Sequence, residues 1–89
     1  MDKLSNLDWS LIQSFLAVAE TGSLSAGARR LGASQPTLGR QIRALEDTLR
    51  VELFQRHARG LELTRLGRDM LPAAQAMHQA MNDLSFAAA

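Results

Sequence analysis

Residues Ser34–Leu49 read SQPTLGRQIRALEDTL, a stretch that begins like a helix and carries one apolar and one basic face. Ser34 is a favourable N-cap, and Pro36 lies in the first turn, where its missing N–H and fixed φ cost nothing. The spacing of apolar residues predicts a buried face formed by Leu38, Ile42, Leu45 and Leu49. The opposite face holds Pro36, Arg40, Arg43 and Asp47, with Gln35 at the N-terminal tip.

A second short helix is predicted just upstream, over Ser23–Leu31 (SLSAGARRL), with Ser23 as its cap and Gly32-Ala33 as the turn that follows. Short helix, tight turn and second helix together predict a helix-turn-helix over about residues 23–49. Two short packed helices are also common in any small α domain. The side-chain chemistry favours the first interpretation, because Gln35 and Arg40 are of the types that pair with adenine and guanine edges in the major groove. We therefore interpret the later helix as a recognition helix.

The segment after this helix, VELFQRHARGLELT, predicts a short β-hairpin over about residues 53–63, the wing of a winged helix-turn-helix. Residues 57–60 form its turn, and residues 61–63 alternate strictly. Arg59 lies beside a glycine at the tip, from which a guanidinium can enter a narrow minor groove; the alternative is a free surface charge. Arg56 is either a phosphate contact or a structural partner of Glu52 or Glu62.

Thr64 is expected to cap a last helix over residues 65–89. Its apolar residues repeat at alternating intervals of four and three, a heptad seam formed by Leu66, Met70, Ala73, Met77, Ala80 and Leu84. This period predicts pairing with a second copy of the helix. The alternative is a helix that folds back on its own domain. Pro72 lies inside the helix and predicts a kink near residues 68–72.

The first helix is predicted between a cap at Asn6 or Asp8 and an end at Gly22. Its apolar stripe is formed by Leu7, Leu11, Ile12, Phe15, Leu16 and Ala19. Trp9 lies off this stripe and is either half-buried near the dimer contact or exposed. In the second helix we expect an inward face of Leu24, Ala28 and Leu31, with Arg29 and Arg30 outward.

Positive charge is concentrated in the middle of the chain. Between Arg29 and Arg68 there are nine arginines and four acids, a local charge of +5, whereas the flanks carry one lysine and five acids, a local charge of −4. This basic region coincides with the predicted helix-turn-helix and wing, as expected for a surface that meets a polyanion. Helix N-termini also attract phosphates. The candidate phosphate contacts are Ser23, Ser25, Ser34, Thr37, Arg43 and Arg56, and the candidate base contacts are Gln35, Pro36 and Arg40.

Spaced motifs extend this pattern from about Leu7 to Gly67 and into the helix beyond. They are Ser23-Leu24-Ser25-x-x-Ala28-x-x-Leu31, Ser34-Gln35-Pro36, Arg40-Gln41-Ile42, Leu45-Glu46, Leu53-Phe54-x-Arg56 and Leu63-Thr64-x-x-Gly67. In this order and without gaps, they resemble the amino-terminal domain of LysR-type bacterial transcriptional regulators. Three positions depart from the family pattern. Gly27 replaces the usual Ala, Gly39 replaces a Ser whose hydroxyl reaches DNA in relatives, and Arg50 replaces the usual Gly at the end of the recognition helix.

Composition excludes several other classes of protein. The 89 residues form one domain with a modest core, and the absence of cysteine excludes disulfides and Cys-ligated metals. No apolar run spans a bilayer, and Met1-Asp2-Lys3 does not open a signal peptide, so we expect a soluble cytoplasmic protein with no membrane partner. The two histidines, His57 and His78, lie apart with no carboxylates at metal-ligand spacing. We predict neither a metal, a cofactor nor enzymatic activity.

Two functions remain. The first is a mainly α winged helix-turn-helix over residues 1–64, a three-helix core plus a wing, that binds double-stranded DNA and dimerises through the last helix. The resemblance implies a homodimer on an interrupted palindrome that regulates transcription, cut off from the sensor domain that would bind a small-molecule effector. The second is an interaction module of the same fold that does not bind DNA. Gln35 and Arg40 discriminate the two, because an interaction module does not need base-pairing side chains there.

Overall fold

The structure is a computed structural model that describes residues 8–88. Four helices and one two-stranded antiparallel sheet follow one another in the order α1, α2, α3, β1, β2, α4. Their bounds are Trp9–Thr21 (α1), Leu24–Leu31 (α2), Gln35–Leu49 (α3), Phe54–His57 (β1), Gly60–Leu63 (β2) and Arg65–Ala88 (α4). The predicted winged helix-turn-helix with a long terminal helix is confirmed.

Each helix begins at a side chain that accepts a hydrogen bond from its first turn. Asp8 accepts from the Ser10 N–H at 2.9 Å, and this bond and one from the Ser10 hydroxyl hold the pKa of the Asp8 carboxyl below its ordinary value. Ser23 and Ser34 cap α2 and α3 as predicted. The Thr64 hydroxyl accepts from the Gly67 N–H at 3.1 Å and so caps α4. Of the two caps predicted for α1, Asp8 is observed, and Asn6 lies outside the described residues.

The recognition helix ends at Arg50, although the sequence has no glycine there. Arg50 adopts the left-handed conformation, with φ 58° and ψ 41°, and its N–H donates to the Glu46 carbonyl. Arg50 is the one non-glycine residue with positive φ among residues 8–88. A side chain in this conformation costs about 1–2 kcal/mol. The helix therefore stops at Arg50 at the cost of local strain.

The hydrophobic core lies around α1, and the helices α2, α3 and α4 all pack against it. The predicted face of α3 is confirmed, with Leu38, Ile42 and Leu45 buried and Leu49 half-buried. The predicted stripe of α1 was too narrow, because Ser14, Ala17 and Val18 are buried as well. The Phe15 and Phe54 rings meet at 5.6 Å between centroids, which ties α1 to the start of the wing. Leu7 lies outside the described residues.

One predicted core residue of α2 is wrong. Leu31 is 39% exposed, because it is the last residue of the helix and lies at the rim of a depression between α1 and α4. Leu24 is half-buried and Ala28 is buried, as expected. Gly27 is buried where α2 meets α1 and α3, and a Cβ there would lie 3.1 Å from both Leu38 Cδ2 and Val18 Cγ2. The glycine therefore permits a closer approach of these helices than an alanine would.

The first half of α4 packs on its own domain, and the second half projects from it. Gly67 and Ala74 are buried, and Met70 and Leu71 pack against the core. Met70 therefore faces its own domain, although the heptad pattern assigned it to the partner. From residue 75 onward every described residue of α4 is exposed. The fold-back alternative thus holds for the first half, and in the exposed second half His78 still contacts α1 through Trp9.

The start of α4 is fixed against the wing. The Thr64 N–H donates to the Leu53 carbonyl at 2.9 Å, and the Thr64 hydroxyl donates to the Glu52 carbonyl at 2.7 Å. A Cβ on Gly67 would overlap the Leu53 carbonyl oxygen. The helix continues through Pro72 to Ala88, so the proline does not end it, and the kink stays a prediction.

Two contacts on the other side tie α4 to α1. Glu20 on α1 pairs with Arg30 of α2 at 2.6 Å and accepts a hydrogen bond from the Gln75 side chain of α4 at 3.1 Å. The Trp9 ring stacks on His78, with 6.2 Å between ring centroids. Arg30 is exposed on the outward side of α2, as predicted, and is paired there with Glu20.

Candidate nucleic-acid interface

The candidate DNA-facing surface is formed by the N-terminus of α2, the outer face of α3 and the wing. Three adjoining shallow depressions run across it, and Leu24 lies in all of them. Gln35, Arg43 and Arg56 each line a depression together with residues of another element. Most of the sequence-predicted contacts therefore line one continuous face, namely Ser23, Ser25, Gln35, Pro36, Arg40, Arg43 and Arg56, whereas Ser34, Thr37 and Arg59 line none of its depressions.

The recognition helix exposes its base-reading candidates at one end of this face. Gln35, Pro36 and Arg40 are exposed and share one depression with Arg43. The Arg40 guanidinium donates to the Thr37 hydroxyl at 3.2 Å, and the Ser34 hydroxyl donates to the same Thr37 oxygen at 2.9 Å. This chain of bonds holds Arg40 beside the helix N-terminus.

Gly39 leaves the same depression open. A Cβ added there would have only Leu24 Cδ1 within 4 Å, at 3.9 Å, so a larger residue fits without steric conflict. The glycine is therefore not required by packing. Gly39 lines the same depression as Arg40 and Arg43, so a substitution there changes the surface presented to a ligand.

The two serines at the start of α2 occupy different roles. The Ser23 hydroxyl accepts from the Ala26 N–H at 3.0 Å and is used as a helix cap. Ser25 accepts from the Arg29 guanidinium at 2.9 Å, which holds Arg29 along the helix. Both serines line the depression that also contains Gln35 and Arg56. They lie where the α2 N-terminus adds partial positive charge.

The wing carries two exposed arginines. Arg59 lies in the two-residue turn between the strands, and its N–H donates to His57 Nδ1 at 3.2 Å. Arg56 pairs across the hairpin with Leu61, whereas Glu62 is opposite Gln55, so Arg56 and Glu62 are on opposite faces. Within residues 8–88 no acid lies at ion-pair distance from Arg56. The structural pair with Glu52 or Glu62 is therefore not formed.

The comparisons with known proteins agree with this architecture. Residues 9–68 match the family of bacterial regulatory helix-turn-helix proteins, lysR family. The chain belongs to the LysR family. It is 48% identical over 69 residues to the HTH-type transcriptional regulator ClcR of Pseudomonas putida, an alignment that covers 78% of this chain and 24% of ClcR. It is 42% identical over 77 residues to an uncharacterized HTH-type transcriptional regulator of Azotobacter vinelandii, covering 86% of this chain and 54% of that relative.

Solved structures of the family show the same fold. The DNA-binding domain of CbnR, in a complex with DNA, is 40% identical with a TM-score of 0.80, and the match covers 92% of this chain and 98% of that one. The BenM DNA-binding domain, in a complex with catB site 1 DNA, is 27% identical with a TM-score of 0.87, and 92% of each chain is covered. This LysR-family chain thus has the length of such a domain and about half or less of the length of the regulators above.

A second surface of this LysR-family domain is apolar. Trp9 of α1 and four residues of α4 line a groove, namely Met77, Ala80, Met81 and Leu84. The heptad pattern predicted three of them and missed Met81, which lies one position from the seam. Leu66 and Met77 on the same side of α4 are also exposed, at 49% and 43%. Trp9 is half-buried at the edge of this apolar face, in line with the first of its two interpretations.

Sequence reasoning missed Glu46 as a residue of the candidate site. Its carboxylate lines a depression with Arg43 and Arg56 and accepts hydrogen bonds from the chain that leads into β1. The Leu45-Glu46 motif contains this residue but does not predict its role, because the chain reverses between Glu46 and the Leu53 and Phe54 amides that donate to it.

Between residues 8 and 88 no three His, Asp or Glu side chains are grouped so that they could hold a metal ion. No helix in that range is both long and apolar enough to cross a bilayer.

Proposed function

We propose that this chain is the DNA-binding domain of a LysR-type transcriptional regulator, which binds double-stranded DNA sequence-specifically as a homodimer on an interrupted palindrome. The observation that carries this proposal is the single face on which Gln35, Arg40, Arg43 and Arg56 are exposed together. An exposed helix fits into the major groove of DNA, and polar side chains at its start can contact the base edges there. The arginines beside them have no acidic partners in the described part of the chain and can bind the phosphates on either side of the groove. The site of action would be the bacterial cytoplasm, and no catalytic role is assigned.

In this proposal the recognition helix reads bases. Gln35 and Arg40 donate and accept at purine edges in the major groove, and Pro36 makes apolar contact with a base. Arg43 lies about one turn further along α3 and contacts the phosphate backbone. Ser23, Ser25, Ser34 and Thr37 stand at helix N-termini, where N–H groups and hydroxyls bind phosphate oxygens.

The wing extends the contact to a neighbouring groove. Arg59 at the turn enters a minor groove, and Arg56 binds a phosphate between the two elements. The solved complexes of the CbnR and BenM domains with DNA support this arrangement, because both proteins share the fold and the family of this chain.

The dimer forms through α4. The seam of Leu66, Ala73, Met77, Ala80 and Leu84 is exposed in the single chain, and apolar side chains of this kind on one face of a helix favour burial against a partner. Antiparallel pairing of two α4 helices, each about 36 Å long, places two recognition helices about one turn of DNA apart, roughly 34 Å. Each then enters a successive major groove on one side of the duplex.

The deciding experiment is selection of binding sites from random duplexes, followed by titration of the selected site at several salt concentrations. We expect an interrupted palindrome and a logarithm of the binding constant that falls by several units per decade of salt, because each phosphate contact releases counterions. A flat salt dependence, or no binding at low salt, would favour the protein-interaction module instead.

A further inference from the structure

Glu46 holds most of the connection between the recognition helix and the wing. Its backbone carbonyl accepts from the N–H of Arg50 and, at 3.1 Å, from that of Val51. Its carboxylate oxygen Oε2 accepts from the N–H of Leu53 at 2.7 Å and of Phe54 at 3.3 Å. One residue therefore binds four amides within a five-residue stretch of chain.

These bonds set the direction in which the wing leaves the helix. β1 begins at Phe54, the last of the four amides, and Arg56 follows two residues later on the same side of the strand. Leu53 is fully buried and Phe54 packs on Phe15, so the end of the connection is anchored in the core as well. The distance from α3 to the wing arginines is thus fixed through the Glu46 side chain.

The charge of Glu46 is unusual for its place. Among the residues that line the three depressions of the DNA-facing surface, Glu46 is the one acid. A carboxylate near DNA phosphates opposes binding by Coulomb repulsion. The N–H groups of Leu53 and Phe54 donate to this carboxylate and offset the repulsion. Charge-assisted hydrogen bonds of this kind are stronger than neutral ones, which favours an acidic residue at this position.

We infer that Glu46 is a positioning residue for DNA recognition, which couples the wing to the recognition helix so that Arg59 and the base-reading side chains engage one site together. This inference rests on the proposed function. Glu46 itself does not contact the DNA. With the carboxylate bonds lost, the recognition helix still docks and the core contacts still hold the wing in place, but the start of β1 is no longer bound to α3 and the position of Arg59 relative to the base-reading side chains is less sharply defined.

A double-mutant cycle tests the coupling. In the unmodified chain, Arg59→Ala is expected to weaken binding to the selected full site about tenfold. In the Glu46→Asp background, whose shorter side chain does not reach Leu53 and Phe54, the same Arg59→Ala change is expected to weaken binding less than twofold. Glu46→Gln keeps an acceptor at the end of a side chain of equal length and is expected to preserve most of the tenfold effect.

The matched control is Ile12→Val, a conservative change in the buried core face of α1, which lowers stability and leaves Phe15, Phe54 and the amides bound by Glu46 unchanged. Arg59→Ala should retain its tenfold effect in that background. Melting curves and helical circular dichroism confirm that each variant is folded at the binding temperature. If Arg59→Ala costs the same in the Glu46→Asp and unmodified chains, Glu46 is only structural and the inference is overturned. If the unmodified chain fails to bind duplex DNA, the proposed function fails instead.

Discussion

Gly60 in the wing lies directly against Gly22 at the end of α1. A Cβ on Gly60 would be 2.6 Å from the Gly22 carbonyl oxygen, and the same oxygen accepts from the Leu61 N–H at 3.2 Å. Gly60 also has φ +136°, a backbone conformation that residues with side chains rarely adopt. The wing is therefore held from both ends, by Glu46 where it begins and by Gly22 at its return strand.

Gly60→Ala is predicted to destabilise the domain by about 2 kcal/mol, because the methyl group collides with a backbone carbonyl and the residue is strained. Urea denaturation followed by circular dichroism measures the loss. Gly39→Ala is the control, since its Cβ has room, and it should be neutral or stabilising by up to about 1 kcal/mol. Equal stabilities of the two variants would show that the wing does not need the close contact with Gly22.

Arg50→Gly is predicted to stabilise the domain by about 1 kcal/mol, because glycine adopts the left-handed C-terminal cap without the strain of a side chain. The midpoint of thermal unfolding should rise by a few degrees. Arg50→Ala removes the same charge but keeps a Cβ, so it should stay close to the unmodified chain. A rise of equal size in both variants would attribute the gain to charge and not to the backbone.

Gln35→Ala and Arg40→Ala are each predicted to weaken binding to the selected site by about 1–3 kcal/mol while leaving binding to random duplexes nearly unchanged. Arg43→Ala should weaken binding to both kinds of DNA alike and reduce the slope against salt by about one unit, as expected for the phosphate contact proposed for Arg43. Fluorescence anisotropy with a specific and a scrambled duplex separates the two patterns. Equal losses on both duplexes from Arg40→Ala would make it a positioning contact only.

Met77→Asp is predicted to dissociate the dimer, because a charge buried in the seam without a partner costs about 3–5 kcal/mol. Sedimentation should give a monomer that binds a half-site normally and a full site poorly. Asn82→Asp adds the same charge on the opposite side of α4 and should leave the dimer intact. A Met77→Asp chain that still sediments as a dimer and binds the full site unchanged would place the interface elsewhere.

The starts of the helices could be predicted from the capping side chains in the sequence. The caps at Ser23, Ser34 and Thr64 each depend on a hydroxyl and an amide three residues further along the chain, so spacing alone predicts them. The outward face of α3 followed in the same way from helical periodicity. The exposed positions of Gln35, Pro36, Arg40 and Arg43 could therefore be predicted from the sequence.

Features that depend on contacts between several helices or strands could not be predicted from the sequence. The burial of Val18 and the exposure of Leu31 depend on which helices surround α1, and periodicity treats each helix alone. Met70 satisfies the heptad seam but is drawn to its own core, because the first half of α4 lies on that core. The role of Glu46 depends on a chain reversal that returns Leu53 and Phe54 to its carboxylate.

The absence of a side chain at Gly67 has a mechanical consequence. The α4 backbone at Gly67 lies against the Leu53 carbonyl, and Thr64 is hydrogen-bonded to Glu52 and Leu53. The first turn of α4 and the base of the wing are therefore packed tightly together. A rotation of α4 therefore displaces the wing with it. Torque applied at the far end of this helix, about 36 Å away, would be transmitted to Arg59 in the wing, and a larger residue at position 67 would push α4 away from the Leu53 carbonyl and weaken this coupling.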